Sequence, residues 1–343
     1  MIAMSHSSDP LKSKAKQPAC KSAQSKVPGQ IPNRIDREFS NLMEFINGRS
    51  LAQMQEDIKH NLRYFESKDK PNYDAIINYY NKYKLWGAIH PDTGEFEMVE
   101  NRAQALVEHQ QDFEWLYERL GDYRSKRVLL SILSYWLSSD YHRIAQIMDK
   151  YYHQYFDFDL IQCDEYEVFV DIGAYIGDTM VDYVKMYGTG CYKRIYCYEI
   201  IPANVAYIQK NMELCALKDV VVCNRGASEK SGILYLSDDA VSSIGMLSEN
   251  GAIEIATVAI DEDIAEPVTF IKMDIEGAEE DALLGCRRKI AENHPKLALA
   301  AYHNHKDLWK LARIIHETDP TYRFYLRYYG GALLPTEYVL YAV

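Results

Sequence analysis

The sequence lacks the features of a membrane-spanning or secreted protein. No apolar run approaches the roughly 18 consecutive residues that a membrane-spanning helix needs, and the N-terminus has no apolar stretch like that of a secretory signal. The seven cysteines are scattered and form no CxxC pair, which argues against a disulfide framework and against a structural zinc site. These absences predict a cytoplasmic protein with reduced thiols and no membrane span.

The chain also lacks an excess of positive charge. Its 38 Lys and Arg residues against 50 Asp and Glu residues give a formal net charge of −12. Because a surface of this sign repels phosphates, we predict no nucleic-acid partner. We expect a small-molecule or glycan partner instead. The hydrophobic content of 48% is ordinary for a globular protein, and 343 residues suffice for more than one domain.

The pattern of residues changes twice along the chain. Residues 1–34 are polar and basic with interspersed prolines, which predicts a disordered basic tail. Residues 35–160 carry apolar residues at spacings of three and four, which predicts amphipathic helices. The first such stripe consists of Phe39, Leu42, Met43 and Ile46. This region shows no catalytic constellation, so we interpret it as a helical cap or as a region through which the chain forms a homodimer.

Residues 161–343 form the predicted cofactor-binding domain, because short β-rich runs alternate there with helices. Strands are predicted at 167–171, 194–198, 219–223, 267–273 and 296–302, helices near 178–187, 202–216, 277–292 and 306–318, an insertion with small strands at 229–266, and closing strands at 322–327 and 337–342. Such alternation is typical of a parallel sheet with helices on both faces. The expected fold class is therefore α/β, with a seven-stranded Rossmann-like sheet preceded by a helical region.

The segment 171–178, DIGAYIGD, joins the first strand to a helix. A dinucleotide-binding turn has the pattern GxGxxG, and Tyr175 stands where its second glycine would meet a pyrophosphate. An acidic residue just before the first glycine suits a ligand with an amine, such as S-adenosylmethionine. The candidate cofactor-binding residues are Asp171, Gly173, Ala174, Tyr175, Gly177, Asp178 and Thr179. The alternative is a glycine turn that only joins strand to helix.

Acidic and polar residues also follow the second and third strands. Glu199 ends the second strand about 20 positions past the glycine turn, where a carboxylate accepts hydrogen bonds from the ribose hydroxyls of an adenosine cofactor. Asn204 lies at the start of the next helix and is, like Glu199, a candidate cofactor-binding residue. Arg225, Gly226 and Ala227 leave the third strand, and topology places them beside the adenine, although a plain turn is an equally good interpretation.

The candidate catalytic residues follow the fourth and fifth strands. Asp274 and Glu276 leave a buried strand at the edge where ligands bind. Asp274 could position the donor methyl, orient the acceptor hydroxyl or bind a divalent metal, whereas Glu276 and Glu279 could simply cap the following helix. His303 is the candidate general base, because imidazole exchanges a proton near neutral pH. A purely structural histidine is the alternative. We predict no resident metal; a site built from Asp274, His303 and His305 is a further alternative.

Several of these motifs together resemble the FkbM family of S-adenosylmethionine-dependent methyltransferases. The similar segments are 167–179, 198–204, 270–279, 295–303 and 322–327, and the run KMDIEGAE is the most specific. The resemblance covers about residues 105–343 and implies a class I methyltransferase fold, with roles in cofactor binding for Asp171, Gly173, Gly177 and Glu199. The region before about residue 100 departs from the pattern, as does Tyr328-Tyr329, where similar members tend to carry a histidine.

The sequence therefore predicts an enzyme that transfers the methyl group of S-adenosylmethionine. The expected reaction is O-methylation of a hydroxyl on a sugar or small secondary metabolite. A catalytically silent binding or scaffold subunit with the same fold and an N-methyltransferase are the alternatives. A nicotinamide-dependent oxidoreductase is disfavoured by Tyr175.

Overall fold

A computed structural model describes residues 32–83, 86–236, 247–248 and 253–343. The tail predicted for residues 1–34 therefore lies almost wholly outside the described residues. Among the described helices, none is long and apolar enough to cross a membrane.

The first part of the described chain is helical, as the apolar spacing predicts. Its helices are α1 (Arg34–Asn47), α2 (Leu51–Lys68), α3 (Lys70–Tyr83), α4 (Glu97–Glu108), α5 (Gln110–Arg119), α6 (Tyr123–Ser138) and α7 (Tyr141–Ala145). Helix α1 begins after Asn33, whose side chain accepts a hydrogen bond from the Asp36 amide, and it buries Phe39, Met43 and Ile46. Helix α2 begins with a reciprocal capping box between Ser50 and Gln53.

The second part of the chain alternates strands and helices. Its elements are β1 (Val168–Ile172), α8 (Asp178–Tyr187), β2 (Arg194–Tyr198), α9 (Pro202–Leu214), β3 (Val220–Cys223), β4 (Gly226–Ala227), β5 (Gly232–Leu236), β6 (Leu247–Ser248), β7 (Ile253–Val258), α10 (Ile260–Asp263), β8 (Phe270–Met273), α11 (Glu279–Leu284), α12 (Arg287–Asn293), β9 (Lys296–Ala300), α13 (Asp307–Thr318), β10 (Phe324–Tyr328) and β11 (Tyr338–Ala342). The two small strands predicted within the insertion correspond to β5 and β7.

The main sheet has seven strands in the order β10-β11-β9-β8-β1-β2-β3. Strands β9, β8, β1, β2 and β3 are parallel, whereas β11 runs antiparallel to both of its neighbours. Every residue of β1 is buried, as expected for a central parallel strand covered on both faces. The predicted Rossmann-like sheet with two closing strands is confirmed. Strands β4, β7, β5 and β6 form a separate small sheet.

The predicted single helix at 277–292 is wrong, because the chain forms α11 and α12 with a break at Gly285 and Cys286. A Cβ atom on Gly285 would overlap the backbone oxygen of Ser228, so the backbones approach too closely there for any larger residue. This close approach lies at the break between α11 and α12.

The helical part packs on one face of the main sheet. Buried residues of α1 to α6 belong to the same apolar cluster as Val168, Val170 and Ile172 of β1, whereas Phe169 belongs to a second cluster on the opposite face. Leu326 donates its amide to Ser125 of α6, and the Trp86 indole donates to the backbone oxygen of Tyr302 at 2.7 Å. The second contact fixes the helical part beside the end of β9.

Candidate functional site

The carboxyl ends of the central strands open onto a cavity of about 350 Å³. Gly173 follows β1, Glu199 follows β2, Asp274 follows β8 and Tyr302 lies just after β9. Because β1 lies between β2 and β8, the cavity occupies the point where the strand order reverses, which is the usual ligand site of such sheets.

Most of the predicted site residues meet in this cavity. Those that line it are Gly173, Tyr175, Asp178, Thr179, Glu199, Asn204, Arg225, Gly226, Ala227, Asp274 and Glu276. Those that do not are Asp171, Ala174, Gly177 and His303. The further lining residues, which the sequence analysis missed, include Gln154, Tyr155, Tyr302 and Glu337.

The glycine turn between β1 and α8 is shaped by left-handed backbone and close packing. Gly173 and Gly177 have φ angles of +81° and +82°. A Cβ atom on Gly173 would overlap the backbone oxygen of Asp274, so only glycine lets the turn lie against the end of β8. Ala174 and Gly177 belong to this turn without lining the cavity, and their contact with a cofactor stays a prediction.

Asp171 lies behind the turn rather than in the cavity. Its buried carboxylate is 2.9 Å from the ammonium of Lys272, which also donates to the Gly173 backbone oxygen at 2.7 Å. Burial raises the pKa of Asp171 to about 6, and the neighbouring ammonium opposes this rise. Asp171 thus anchors Lys272, which holds the turn in place, and its contact with a cofactor stays a prediction.

Glu199 lies at the tip of β2 with its carboxylate oriented by its neighbours. Its Oε1 accepts hydrogen bonds from the Ile201 amide at 2.8 Å and from the Asn204 side chain at 3.4 Å. Burial raises the pKa of this carboxyl group. Glu199, which the sequence predicts to bind the ribose, is therefore fixed at the cavity wall beside Asn204.

The small sheet completes the wall beyond Glu199. Ile255 and Thr257 of β7 line the cavity beside Gly226 and Ala227 of β4. The Arg225 guanidinium is held by Asp263 at 2.7 Å. The insertion thus supplies an apolar slot at this end of the cavity.

The opposite end of the cavity is acidic and hydrogen-bonded. Tyr155 donates to Asp274 at 2.6 Å, and Glu337 accepts from Gln154 at 2.8 Å and from Tyr302 at 3.1 Å. Burial raises the pKa of Glu276 to about 7. The two ends of the cavity therefore differ in chemistry.

Three lining residues have left-handed backbone although they are not glycines. Tyr175, Glu276 and Glu337 have φ angles of +47°, +56° and +60°. Such conformations cost about 1–3 kcal/mol each and concentrate at functional sites. The cavity is therefore a place where the fold accepts backbone strain.

His303 is buried behind the acidic end and does not line the cavity. Its Nδ1 is 2.7 Å from Glu279, and its Nε2 is 3.3 Å from Asp274 and 3.4 Å from Glu276. Although burial lowers the pKa of His303, these carboxylates raise it to about 10. His303 thus has three carboxylate neighbours and lies outside the cavity wall, and its role as the general base stays a prediction.

His305 points away from this cluster. Its ring packs against Trp136 and Trp86, with ring centroids 4.8 and 5.6 Å apart, and burial lowers its pKa to about 3. The alternative metal site that combined His303 with His305 is therefore wrong.

Comparisons with known proteins agree with this geometry. Residues 171–330 match the family described as the methyltransferase FkbM domain. The crystal structure of methyltransferase FkbM from Methylobacillus flagellatus is similar over 71% of this chain and 61% of that chain, with 28% identity and a TM-score of 0.62. The present chain thus spans about three fifths of the length of that protein.

Other similarities are weaker. An rRNA methylase from Streptococcus thermophilus is similar over 60% of this chain and 92% of that chain, with 14% identity and a TM-score of 0.35. A precorrin-6y C5,15-methyltransferase from Geobacter metallireducens is similar over 54% and 84%, with 14% identity and a TM-score of 0.36. No curated protein matches the sequence.

Proposed function

We propose that the protein is an S-adenosylmethionine-dependent O-methyltransferase, because residues 171–330 match the family described as the methyltransferase FkbM domain. Its acceptor is a hydroxyl group of a sugar or small secondary metabolite. One observation carries the proposal: a single cavity has an apolar end beside Glu199 and an acidic, hydrogen-bonded end beside Asp274. A donor and an acceptor of different chemistry would meet between these ends.

The residues of the first end fit an adenosyl cofactor. Ile200, Ala227 and Ile255 offer apolar surface for a flat base, and the oriented carboxylate of Glu199 offers acceptors for ribose hydroxyls. Asp178 and Thr179 line the cavity at the start of α8, where an amino acid moiety would lie. When bound there, S-adenosylmethionine supplies an activated methyl group.

The residues of the second end fit a neutral acceptor rich in hydroxyl groups. The carboxylates of Asp274, Glu276 and Glu337 offer hydrogen-bond acceptors. Tyr155 holds Asp274, whereas Gln154 and Tyr302 hold Glu337. An acceptor that carries a phosphate would be repelled by these carboxylates. Catalysis would then come mainly from alignment of the acceptor oxygen with the methyl group in a cavity of limited volume.

Calorimetric titration with S-adenosylhomocysteine tests the cofactor assignment. We expect the wild-type chain to bind it and Glu199→Gln to bind about 10- to 100-fold more weakly, because hydrogen bonds to a charged group contribute about 1.5–3 kcal/mol each. Glu213→Gln, an exposed position on α9, is the matched control and should bind as the wild type does. Absence of binding to the wild type, or equal binding by Glu199→Gln, would contradict the assignment.

Product analysis tests the type of transfer. The chain is incubated with S-adenosylmethionine carrying a ¹³C-labelled methyl group and with a panel of neutral sugars, sugar phosphates and amines. We expect the label in a methyl ether of a neutral sugar, identified by its carbon chemical shift. A label found only on nitrogen would replace O-methylation by N-methylation.

A further inference from the structure

We propose that His303, Asp274 and Glu276 bind a divalent metal ion at the acidic end of the cavity, with Glu279 holding His303 in position. Asp274 and Glu276 follow β8 and line the cavity, whereas His303 follows β9 and lies behind them. The ends of the neighbouring strands β8 and β9 thus bring the imidazole of His303 close to the carboxylates of Asp274 and Glu276.

The strongest observation is the unpartnered Nε2 of His303. The histidine is 2% exposed, and its Nε2 makes no hydrogen bond within the described residues. The same atom is 3.3 Å from Asp274 Oδ1 and 3.4 Å from Glu276 Oε2. Ligands of a metal at about 2.1 Å are separated by roughly 3.0–3.4 Å, so both separations suit a shared ion.

The other nitrogen of the ring is held as metal-bound histidines usually are. Glu279 Oε1 lies 2.7 Å from His303 Nδ1 and accepts a second hydrogen bond from the Ile275 amide at 2.9 Å. A carboxylate that binds Nδ1–H fixes the tautomer whose free lone pair is on Nε2. That lone pair faces two carboxylates, an arrangement that a cation would stabilise.

The negative charge around the cluster also favours a bound cation. Asp274, Glu276, Glu279 and Glu337 lie at this end, and the ammonium of Lys272 is engaged by Asp171 and Gly173. Asp274, Glu279 and His303 offer ligand atoms that all lie within 4.8 Å of one another. A divalent ion bound between Asp274 and Glu276 would compensate this negative charge.

The ligand set indicates which ions fit. One imidazole with carboxylates suits Mn²⁺ or Zn²⁺ better than Ca²⁺, which prefers oxygen ligands alone. Because Asp274 and Glu276 line the cavity, an ion between them could receive the acceptor hydroxyl and hold it toward the methyl donor. This role rests on the proposed function, whereas the binding of the ion does not.

Titration of the metal-free full chain with Mn²⁺, followed by electron paramagnetic resonance of the free ion, tests the site without any methyl donor. We expect one equivalent bound in the micromolar range, and at least tenfold weaker binding by His303→Gln and by Asp274→Asn. The control is His294→Gln, which alters an exposed histidine 2.8 Å from Asp319 at the opposite edge of the sheet. It should bind Mn²⁺ within twofold of the wild type.

Thermal unfolding is a second measurement, which distinguishes a variant that folds poorly from one that is folded but does not bind the ion. Mn²⁺ should raise the unfolding temperature of the wild type and of His294→Gln, but not that of the isosteric Asp274→Asn. Failure of the wild type to bind, or unchanged affinity in both cluster variants, would overturn the proposal. Binding of S-adenosylhomocysteine without binding of Mn²⁺ would reject the metal site alone, and the reverse result would reject the cofactor assignment alone.

Discussion

Side chains around the cavity are held by residues that are far from them in the sequence. Asp171 is held by Lys272 from another strand, and Asp274 by Tyr155 from the segment before the sheet. Each contact orients a carboxylate that would otherwise be buried without a partner or would swing into the cavity. Substitution of the holding residue therefore tests orientation separately from charge.

The pH dependence of stability should report the burial of Asp171. Its pKa in the folded chain is about 6, above the ordinary value of 3.8. The contribution of Asp171 to stability is therefore fully present below its pKa in the unfolded chain. It is lost as the pH rises through its pKa in the folded chain. We expect the free energy of unfolding of the wild type, relative to Asp171→Asn, to decrease between about pH 4 and about pH 6.5 in urea titrations.

A control for this measurement is Asp319→Asn. Hydrogen bonds from Thr321 lower the pKa of Asp319 to about 2, from the ordinary value of 3.8. The stability of the wild type relative to Asp319→Asn should therefore rise slightly up to about pH 5 and stay constant above it, the opposite of the decrease expected for Asp171. A constant difference for Asp171→Asn would show that the buried carboxylate does not titrate there.

Tyr155→Phe should lower the rate of methyl transfer without weakening cofactor binding. The hydroxyl of Tyr155 donates to Asp274 at 2.6 Å, and a hydrogen bond to a charged group contributes about 1.5–3 kcal/mol. We expect kcat to fall about tenfold or more in initial-rate measurements, with S-adenosylhomocysteine affinity unchanged. Tyr152→Phe, which removes a 3.3 Å contact with Asp159 outside the cavity, should leave both values as they are.

At the scale of elements, the close approach of the Gly285 and Ser228 backbones depends on the absence of a side chain at Gly285. Its added Cβ would overlap the Ser228 backbone, although its φ angle of −74° suits any residue. Gly285→Ala should therefore lower the free energy of unfolding by about 1–3 kcal/mol through overpacking alone. Gly331→Ala has open space around its Cβ and should change stability by less than about 0.5 kcal/mol in the same urea titrations. Equal effects would show that the close contact is not limiting.

At the scale of the whole molecule, the parallel sheet and its cavity could be predicted because each βα unit carries its own local pattern. Glu199 and Asp274 were predicted from their place at strand ends, and both line the cavity. Tyr155 and Glu337 could not be predicted, since they reach the cavity through packing between distant segments. The burial of Asp171 and His303 was missed for a related reason. The local sequence shows which side chains alternate between the two faces of a strand, but the segments that cover each face come from elsewhere in the chain.

Unfolding of the whole chain should be one cooperative transition, because the helical part and the main sheet share one apolar cluster. Leu129 of α6 is fully buried in that cluster. We expect differential scanning calorimetry to show a single peak, and Leu129→Ala to lower its temperature without dividing it. The substitution should cost about 2–5 kcal/mol through lost burial and a cavity.

Two peaks, of which Leu129→Ala moves only one, would mean that the helices unfold as a separate domain. A single displaced peak would mean that the helices belong to the folding unit that forms the cavity, so that S-adenosylhomocysteine, if bound there, should raise the stability of both together.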